Sequence, residues 1–174
     1  MVMHRIRRPP PAERAAAFTE AYHRLYPRVL AFMLRRVGDR GVAEDLASKV
    51  FQIGWEHVDS RLLWTNAWFF GTARTVLAEH HHRAPRLAEL HRRPAVEFGR
   101  PPATGDDLRA LAALDALDSL TEEQREVLLL HYWEGLDSVE VAYALRRSRS
   151  AIWLRLYRAR RAFRAAYLSR SGSW

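Results

Sequence analysis

The side chains with the clearest chemical potential are the arginines that crowd the carboxyl-terminal part of the chain. Nine arginines and no acidic residue occupy positions 146–170, whereas positions 121–145 hold six acidic residues and one arginine. A solvated helix face normally mixes charges of both signs, so this segregation is typical of a surface that contacts phosphates. Guanidinium groups bind phosphate oxygens and guanine edges through paired hydrogen bonds. The pattern predicts a nucleic-acid-binding surface near the end of the sequence.

The overall charge has the same sign. The 174 residues carry a formal net charge of +8 and a pI near 10.7, and Lys49 is the only lysine. A protein with this field is attracted to DNA, RNA or anionic lipid. A GC-rich genome would also favour arginine codons, so the sign of the charge carries more weight than the choice of arginine over lysine.

Several other classes of protein are disfavoured. The absence of cysteine excludes a disulfide framework, a thiolate zinc site and a cysteine nucleophile. No segment approaches the roughly 18 consecutive apolar residues of a membrane span, and no signal-peptide core follows the basic stretch 1–11. Of the consecutive His80, His81 and His82, at most two could share an ion, because neighbouring helix positions point about 100° apart. We therefore expect a cytoplasmic protein with no metal, no cofactor and no catalytic activity.

The elements that must position the arginines are predicted to be helices, in two small domains. Apolar residues at helical spacing predict a first helix around 18–33 with a kink at Pro27, a second around 42–58 and a third around 65–82. Four prolines and two glycines in the stretch 84–107 predict a linker. A short helix over 108–117 and three further helices follow, and no window alternates like a strand. The fold class is therefore all-α.

Capping residues define the helices of the second domain. Thr121 and Gln124 form a capping box that opens a helix ending at Gly135. Asp137, with an acidic residue three positions later, caps a short helix that ends near Leu145, and Ser148 caps a long final helix to about position 167. Only three residues separate the last two helices. This spacing predicts a helix-turn-helix, in which the second helix enters the major groove of DNA.

The final helix has a predicted inner and outer face. Its apolar residues recur every three or four positions and form one stripe: Ile152, Leu156, Ala159, Phe163 and Tyr167. Residues of the first turns of such a helix usually touch base edges, and these are Arg149, Ser150, Ala151 and Trp153. Later arginines bind phosphates, which positions the domain without reading sequence, and these are Arg155, Arg158, Arg160 and Arg161. The open alternative is a solvated basic helix on an unrelated bundle.

Motifs in both halves of the chain resemble a known family. Residues 120–130 read LTEEQREVLLL and resemble the opening of region four of bacterial sigma factors, as do residues 134–136, 140–142 and 155–160. Residues 43–46, with Phe51 and Trp55, resemble region two. Residues 67–70 and 73–74 resemble the segment that melts the promoter. Their order and the Pro-rich spacer are similar to the extracytoplasmic-function (ECF) sigma factors, over about residues 18–164.

The resemblance implies a division of labour along the chain. It implies a basic flexible tail at 1–16, region two at 17–83, the linker at 84–107 and region four at 108–170. Such a protein binds core RNA polymerase, recognises the −10 and −35 promoter elements and directs transcription initiation. Its implied partners are promoter DNA, the β′ clamp helices and β flap of the polymerase, and an anti-sigma factor, for which Trp153 and Leu154 could provide a contact.

The resemblance also implies three groups of site residues. The −35 element would be read by Arg147, Ser148, Arg149, Ser150, Ala151, Trp153, Arg155, Arg158 and Arg161. The unpaired −10 strand needs aromatic rings for stacking and arginines for phosphates, which implies Trp64, Asn66, Trp68, Arg74 and Arg83. Core polymerase would be bound by Glu44, Asp45, Ser48, Lys49, Phe51 and Trp55. Trp68 and Phe69 have a structural interpretation as core residues, which we prefer for Phe69.

The chain departs from the family pattern at a few positions. Ser48 and Lys49 stand where Gln-Glu is usual, which reverses a charge on the implied polymerase-binding face. Arg146 occupies a position where the family usually has glycine, which allows a left-handed backbone. This conformation costs a residue other than glycine roughly 1 kcal/mol. These departures keep an alternative open, a helix-turn-helix regulator that does not join the polymerase. A third interpretation, an RNA-binding or membrane-surface helical protein, rests on charge alone.

Overall fold

The computed structural model describes residues 11–56, 64–83 and 105–171, and this part of the chain is helical apart from short turns, with no strand. The all-α prediction is confirmed. The chain divides into two compact units, residues 1–96 and 97–174. None of the described helices is long and apolar enough to cross a membrane.

The described residues of the first unit form three helices. They are α1 (Pro11–Val37), α2 (Arg40–Glu56) and α3 (Asn66–Arg83). The predicted tail 1–16 is too long, because α1 already begins at Pro11, and proline is favoured in the first turn of a helix. The helix continues through Pro27 and ends before Gly38, whose φ of 74° is left-handed. Asp39 then accepts a 2.8 Å hydrogen bond from the backbone N–H of Val42 and so caps α2.

The core of the first unit is rich in aromatic rings. Its fully buried side chains come from all three helices and include Leu25, Val29, Phe32, Val50, Phe69, Phe70 and Val76. Gly54 on α2 allows this packing, since a Cβ atom there would lie only 3.3 Å from the ring of Phe69. The stacked rings of Phe51 and Phe69, with centroids 4.6 Å apart, therefore join α2 to α3 directly.

Four α-helices lie in the part of the second unit that the structure describes. They are α4 (Gly105–Asp118), α5 (Glu122–Leu128), α6 (Ser138–Ala144) and α7 (Arg149–Ser171). Helix α4 starts three residues before the predicted position 108, so residues 105–107 belong to a helix and not to the linker. Residues 84–104, the rest of that predicted linker, lie outside the described residues, as does the end of the predicted second helix at 57–58.

Helix α5 continues without a break into a π-helical turn, Leu129–Trp133. The backbone N–H of Glu134 bonds to the carbonyl of Leu129 at 2.9 Å, five residues back, which is the π pattern. Gly135 follows with a φ of 65°, and the N–H of Leu136 then bonds to the carbonyl of Leu130 at 3.0 Å. The expected end of the helix at Gly135 is confirmed. The π-helical turn before Gly135 was not predicted from the sequence.

The predicted capping box at Thr121 and the predicted cap at Asp137 are confirmed, and the second also forms a capping box. Thr121 and Gln124 each accept a hydrogen bond from the other's backbone N–H, at 3.3 Å in both directions. Asp137 accepts from the N–H of Glu140 at 2.8 Å, and the Glu140 carboxylate accepts from the N–H of Asp137 at 3.0 Å. These bonds satisfy amides that would otherwise lack partners in the first turns of α5 and α6.

Candidate nucleic-acid interface

The turn between α6 and α7 sets the geometry of the predicted helix-turn-helix. Helix α6 ends at Ala144 with Leu145 as its C-cap, and Arg146 takes the left-handed conformation with a φ of 51°. The N–H of Arg146 bonds to the carbonyl of Tyr143 at 3.1 Å, and that of Arg147 bonds to the carbonyl of Ala142 at 2.9 Å. This pair of bonds is the Schellman motif, whose left-handed residue is usually glycine. The helix-turn-helix arrangement is confirmed, with an arginine at its strained position.

Helix α7 begins directly after this turn. The Ser148 hydroxyl accepts a 3.2 Å hydrogen bond from the N–H of Ala151, as its predicted role as a cap requires. The predicted apolar stripe faces inward. Ile152, Leu156 and Ala159 are buried, while the stacked rings of Phe163 and Tyr167 are half-buried. This packing fixes which side chains of α7 face outward.

The outward face of α7 brings together most of the predicted −35 residues. Exposed members are Arg147, Ser148, Arg149, Ser150, Trp153, Arg158 and Arg161, and half-buried ones are Ala151 and Arg155. Leu154 and Tyr157 are also exposed on this face, although the sequence-based set omitted them. Because α7 contains no acidic residue, every charged side chain exposed on it is an arginine. A surface with this charge and helical shape can enter a DNA groove and contact its phosphates.

Two arginines of α7 are held by α5 and by the π-helical turn that continues it. Arg155 forms an ion pair with Glu123, with Nη2 and Oε2 at 3.4 Å. The Nε of Arg160 donates a 2.7 Å hydrogen bond to the hydroxyl of Tyr132, and its guanidinium lies 5.4 Å from the centroid of that ring. These contacts join the start of α5 and the π-helical turn to α7. Arg155 and Arg160 therefore help to set the angle of α7 within the second unit.

The predicted −10 residues have unequal exposure. Trp64 is 7% exposed, its ring centroid lies 5.6 Å from that of Phe18, and its Nε1 donates to the carbonyl of Gly54 at 3.5 Å. Its ring is therefore part of the core and is not presented for stacking with a base. Asn66, Trp68 and Arg74 are half-buried on α3, and Arg83 ends α3 with a side chain outside the described residues.

The predicted polymerase-binding residues are similarly divided. Phe51 is buried against α3, whereas Asp45, Ser48 and Trp55 are exposed on α2. The Arg14 guanidinium lies 4.7 Å from the centroid of the Trp55 ring. Two charged members are engaged within the chain, since Glu44 pairs with Arg40 at 2.9 Å and Lys49 pairs with Glu79 at 3.1 Å. The lysine is thus matched by an acidic residue on α3.

Sequence reasoning missed an aromatic patch beside Trp55. Tyr22 and Tyr26 on α1 stack with centroids 4.8 Å apart, and Tyr22 is exposed. The pKa of the Tyr22 phenol is raised, mainly by partial burial of the ring and secondly by the neighbouring Tyr26. The spacing of four residues was the available signal, because it places both rings on one face of α1.

The consecutive histidines His80, His81 and His82 lie in the last turn of α3. The rings of His80 and His81 lie 5.8 Å apart. Within the described ranges, no group of three or more histidine, aspartate or glutamate side chains is placed to hold a metal ion.

Comparisons with known proteins agree with this geometry. Residues 110–163 match the family model described as "Sigma-70, region 4", which covers the helix-turn-helix. Over 174 aligned residues, the chain is 32% identical to a probable RNA polymerase sigma factor, RfaY, of Xanthomonas campestris pv. campestris, covering 90% of this chain and 42% of that protein. It is 30% identical to the ECF RNA polymerase sigma factor BldN of Streptomyces coelicolor, covering 85% of this chain and 59% of that one. The chain thus spans about half the length of these two curated relatives.

A relative of similar length and a solved structure complete the comparison. The ECF RNA polymerase sigma factor SigL of Mycobacterium tuberculosis is 27% identical, with 86% of this chain and 88% of that protein aligned. The sigma factor RpoE of Bartonella quintana, solved in complex with the anti-sigma factor NepR, superposes with a TM-score of 0.58 at 21% identity. That alignment covers 86% of this chain and 95% of the other, and it supports the fold assignment.

Proposed function

Because the chain belongs to the ECF sigma factors, we propose that it binds core RNA polymerase and directs transcription initiation at promoters with −35 and −10 elements. The observation that carries the proposal is the second unit's helix-turn-helix, whose long second helix exposes several arginines and contains no acidic residue. This feature lies inside the segment that matches region four. A protein of this design acts by recruiting and orienting the polymerase and needs no catalytic group of its own.

The −35 element is the proposed ligand of α7. A helix of about 10–12 Å diameter fits a major groove about 12 Å wide. Arg149, Ser150 and Trp153 lie exposed in the first two turns, where such helices contact base edges. Arg158 and Arg161 lie further along the same face and contact phosphates, which fixes the register of the helix on the duplex. Arg155 has a smaller part in this contact, because its guanidinium already faces Glu123.

The −10 element is the proposed ligand of α3 and the residues before it. Single-stranded DNA is held by stacking on aromatic rings and by positive charge along its backbone. The half-buried Trp68 and Arg74 supply these groups on α3, together with Asn66 at its first position and Arg83 at its last. Trp64 contributes from the core, where its bond to the Gly54 carbonyl and its contact with Phe18 hold the start of α3 in place.

The exposed surface of α2 is the proposed contact with the β′ clamp helices of the polymerase. Trp55 supplies a partly exposed aromatic side chain near the end of α2, and Asp45 and Ser48 supply exposed polar groups about two to three turns earlier on the helix. Phe51 supports this surface from beneath, since it is stacked on Phe69. The pairing of Lys49 with Glu79 balances the local charge, which supports the proposal although a lysine replaces the usual acidic residue. The second unit would meet the β flap.

The remaining partners and the compartment follow from family membership. An anti-sigma factor is a proposed regulator, by analogy with the RpoE protein that was solved with one. We place the protein in the cytoplasm, where the polymerase and the chromosome are found.

Transcription from a promoter library tests the proposed function. The purified chain is mixed with bacterial core RNA polymerase and templates randomised upstream of the start site, and the transcripts are sequenced. We expect transcripts whose templates share two short elements separated by a fixed spacer. The matched control is the core enzyme alone, which should produce no such enrichment. If the chain neither associates with the polymerase nor selects templates, the proposal is wrong. Specific duplex binding without polymerase association would instead support the regulator alternative.

A further inference from the structure

Helix α7 exposes large apolar side chains in the middle of its basic face. Trp153 is 69% exposed, Leu154 45% and Tyr157 55%, all within the first nine residues of the helix. Leu154 follows Ser150 by four positions and precedes Arg158 by four. Side chains at this spacing lie on one line along a helix. The leucine is therefore placed between a predicted base-reading residue and a predicted phosphate-binding residue.

The charge around these side chains identifies their partner. Arg149, Arg158 and Arg161 are exposed beside them, and α7 offers no acidic group to a basic partner. The surface therefore fits a polyanion that also presents apolar groups. The major groove of DNA has this combination, because phosphates line its walls and the C5-methyl group of thymine projects from its floor. A protein partner would need acidic side chains arranged in the same pattern to do as well.

We propose that Leu154 and Trp153 read thymine by packing against its C5-methyl group in the major groove. The inference rests on the proposed function, and it names the bases that the −35 element must contain. Four residues separate Leu154 from Ser150 and from Arg158, about 6 Å along the helix axis in each direction. Base pairs stack about 3.4 Å apart, so these neighbours contact bases or phosphates one to two steps from the thymine.

Thymine can be replaced by uracil in DNA, which removes the methyl group and leaves every hydrogen-bonding group in place. The holoenzyme, made from the full chain and core polymerase, first selects duplexes from a randomised library containing thymine. Each thymine of the selected −35 element is then replaced in turn by deoxyuridine, and affinity is measured for every duplex. We expect about a four-fold loss for each methyl group that is read. Replacement of thymines between the two elements should change nothing.

Matched variants assign the effect to these side chains. Leu154→Ala should reduce the thymine-to-uracil ratio of affinities to about one at a single position, and Trp153→Ala should do so at a neighbouring one. Leu168→Ala is the control, because Leu168 is also exposed, at 55%, and lies within about 40° of the same line on α7. It is about 21 Å further along the helix, beyond the reach of the groove contact. This variant should keep the four-fold discrimination.

The possible outcomes separate this inference from the proposed function. If duplexes are selected but uracil binds as well as thymine, the methyl-reading proposal is wrong while the proposed function stands. The same holds if Leu154→Ala and Trp153→Ala leave both duplex affinity and the thymine-to-uracil ratio unchanged, a result that would point to a protein-binding surface. If the holoenzyme selects no sequence at all, both proposals are overturned together.

Discussion

Replacing Arg146 with glycine should stabilise the second unit. Arg146 has a φ of 51° between α6 and α7, and its side chain is exposed, so the substitution removes no buried contact. The left-handed conformation costs a non-glycine residue about 1–2 kcal/mol. Glycine avoids this cost but loses about 0.5–1 kcal/mol through the greater freedom of the unfolded chain. The difference is a net stabilisation of about 0.5–1 kcal/mol, which raises the Tm of a unit of this size by about 3–6 °C.

The neighbouring Arg147 provides the control for this prediction. It is also exposed and carries the same charge, but among the described non-glycine residues only Arg146 has a positive φ. Arg147→Gly should therefore destabilise the unit by about 0.5–1 kcal/mol, since it adds flexibility without relieving strain. Urea unfolding of the full chain gives both values, and hydrogen exchange of the α6 and α7 amides assigns the transition to the second unit. Equal shifts in the same direction for the two variants would refute the argument from backbone strain.

Three further predictions concern a cap, an ion pair and a phosphate contact. Asp137→Ala should lower the free energy of unfolding by about 1 kcal/mol in urea denaturation, because two amides in the first turn of α6 lose their acceptor. Asp137→Asn should retain most of the stability, since asparagine can also accept these hydrogen bonds. An equal loss with asparagine would contradict the capping role. Lys49→Glu should destabilise the first unit by at most about 1 kcal/mol in low salt and less in high salt, and adding Glu79→Lys should restore it. A loss that persists in about 1 M salt, where the screening length is only about 3 Å, would have another cause. Arg158→Ala should weaken binding of the holoenzyme to DNA about equally for all sequences, and the salt dependence of the affinity should fall by about one phosphate contact. Titrations at several salt concentrations measure both effects. A loss of affinity confined to some sequences would show that Arg158 contacts bases.

Features set by neighbours in the chain could be predicted from the sequence. The capping boxes at Thr121 and Asp137 each involve groups within three residues, so the residue types alone determine them. The inward stripe of α7 follows from helical periodicity, and Ile152 and Leu156 are buried as expected. The left-handed conformation of Arg146 was indicated by the resemblance, since glycine is usual at that position. The helix-turn-helix is therefore predictable, because local residue types and spacing specify both of its helices and the turn between them.

Features set by distant contacts could not be predicted. Trp64 was expected to face DNA, but its ring is covered by Phe18, which lies more than forty positions away in the sequence. The burial of Phe51 depends on Phe69 of α3 in the same way. The π-helical turn after Leu128 also escaped prediction, because a pattern of apolar residues does not reveal a single wider turn. The periodicity of apolar residues predicts that a helix forms. Which of its aromatic residues are exposed depends on the helices that pack against it.

Because the chain has a single lysine, Lys49, proteolysis at that residue can measure local unfolding of α2. A protease that cuts only after lysine has one target among the 174 residues, the peptide bond between Lys49 and Val50. That bond lies well inside α2, and the Val50 side chain is fully buried. A protease must bind its substrate in an extended form, so cleavage requires α2 to open first. In dilute protease, the rate of cutting at one site therefore measures the free energy of that opening. Slower cutting in the presence of polymerase would map its protection of α2 without any label.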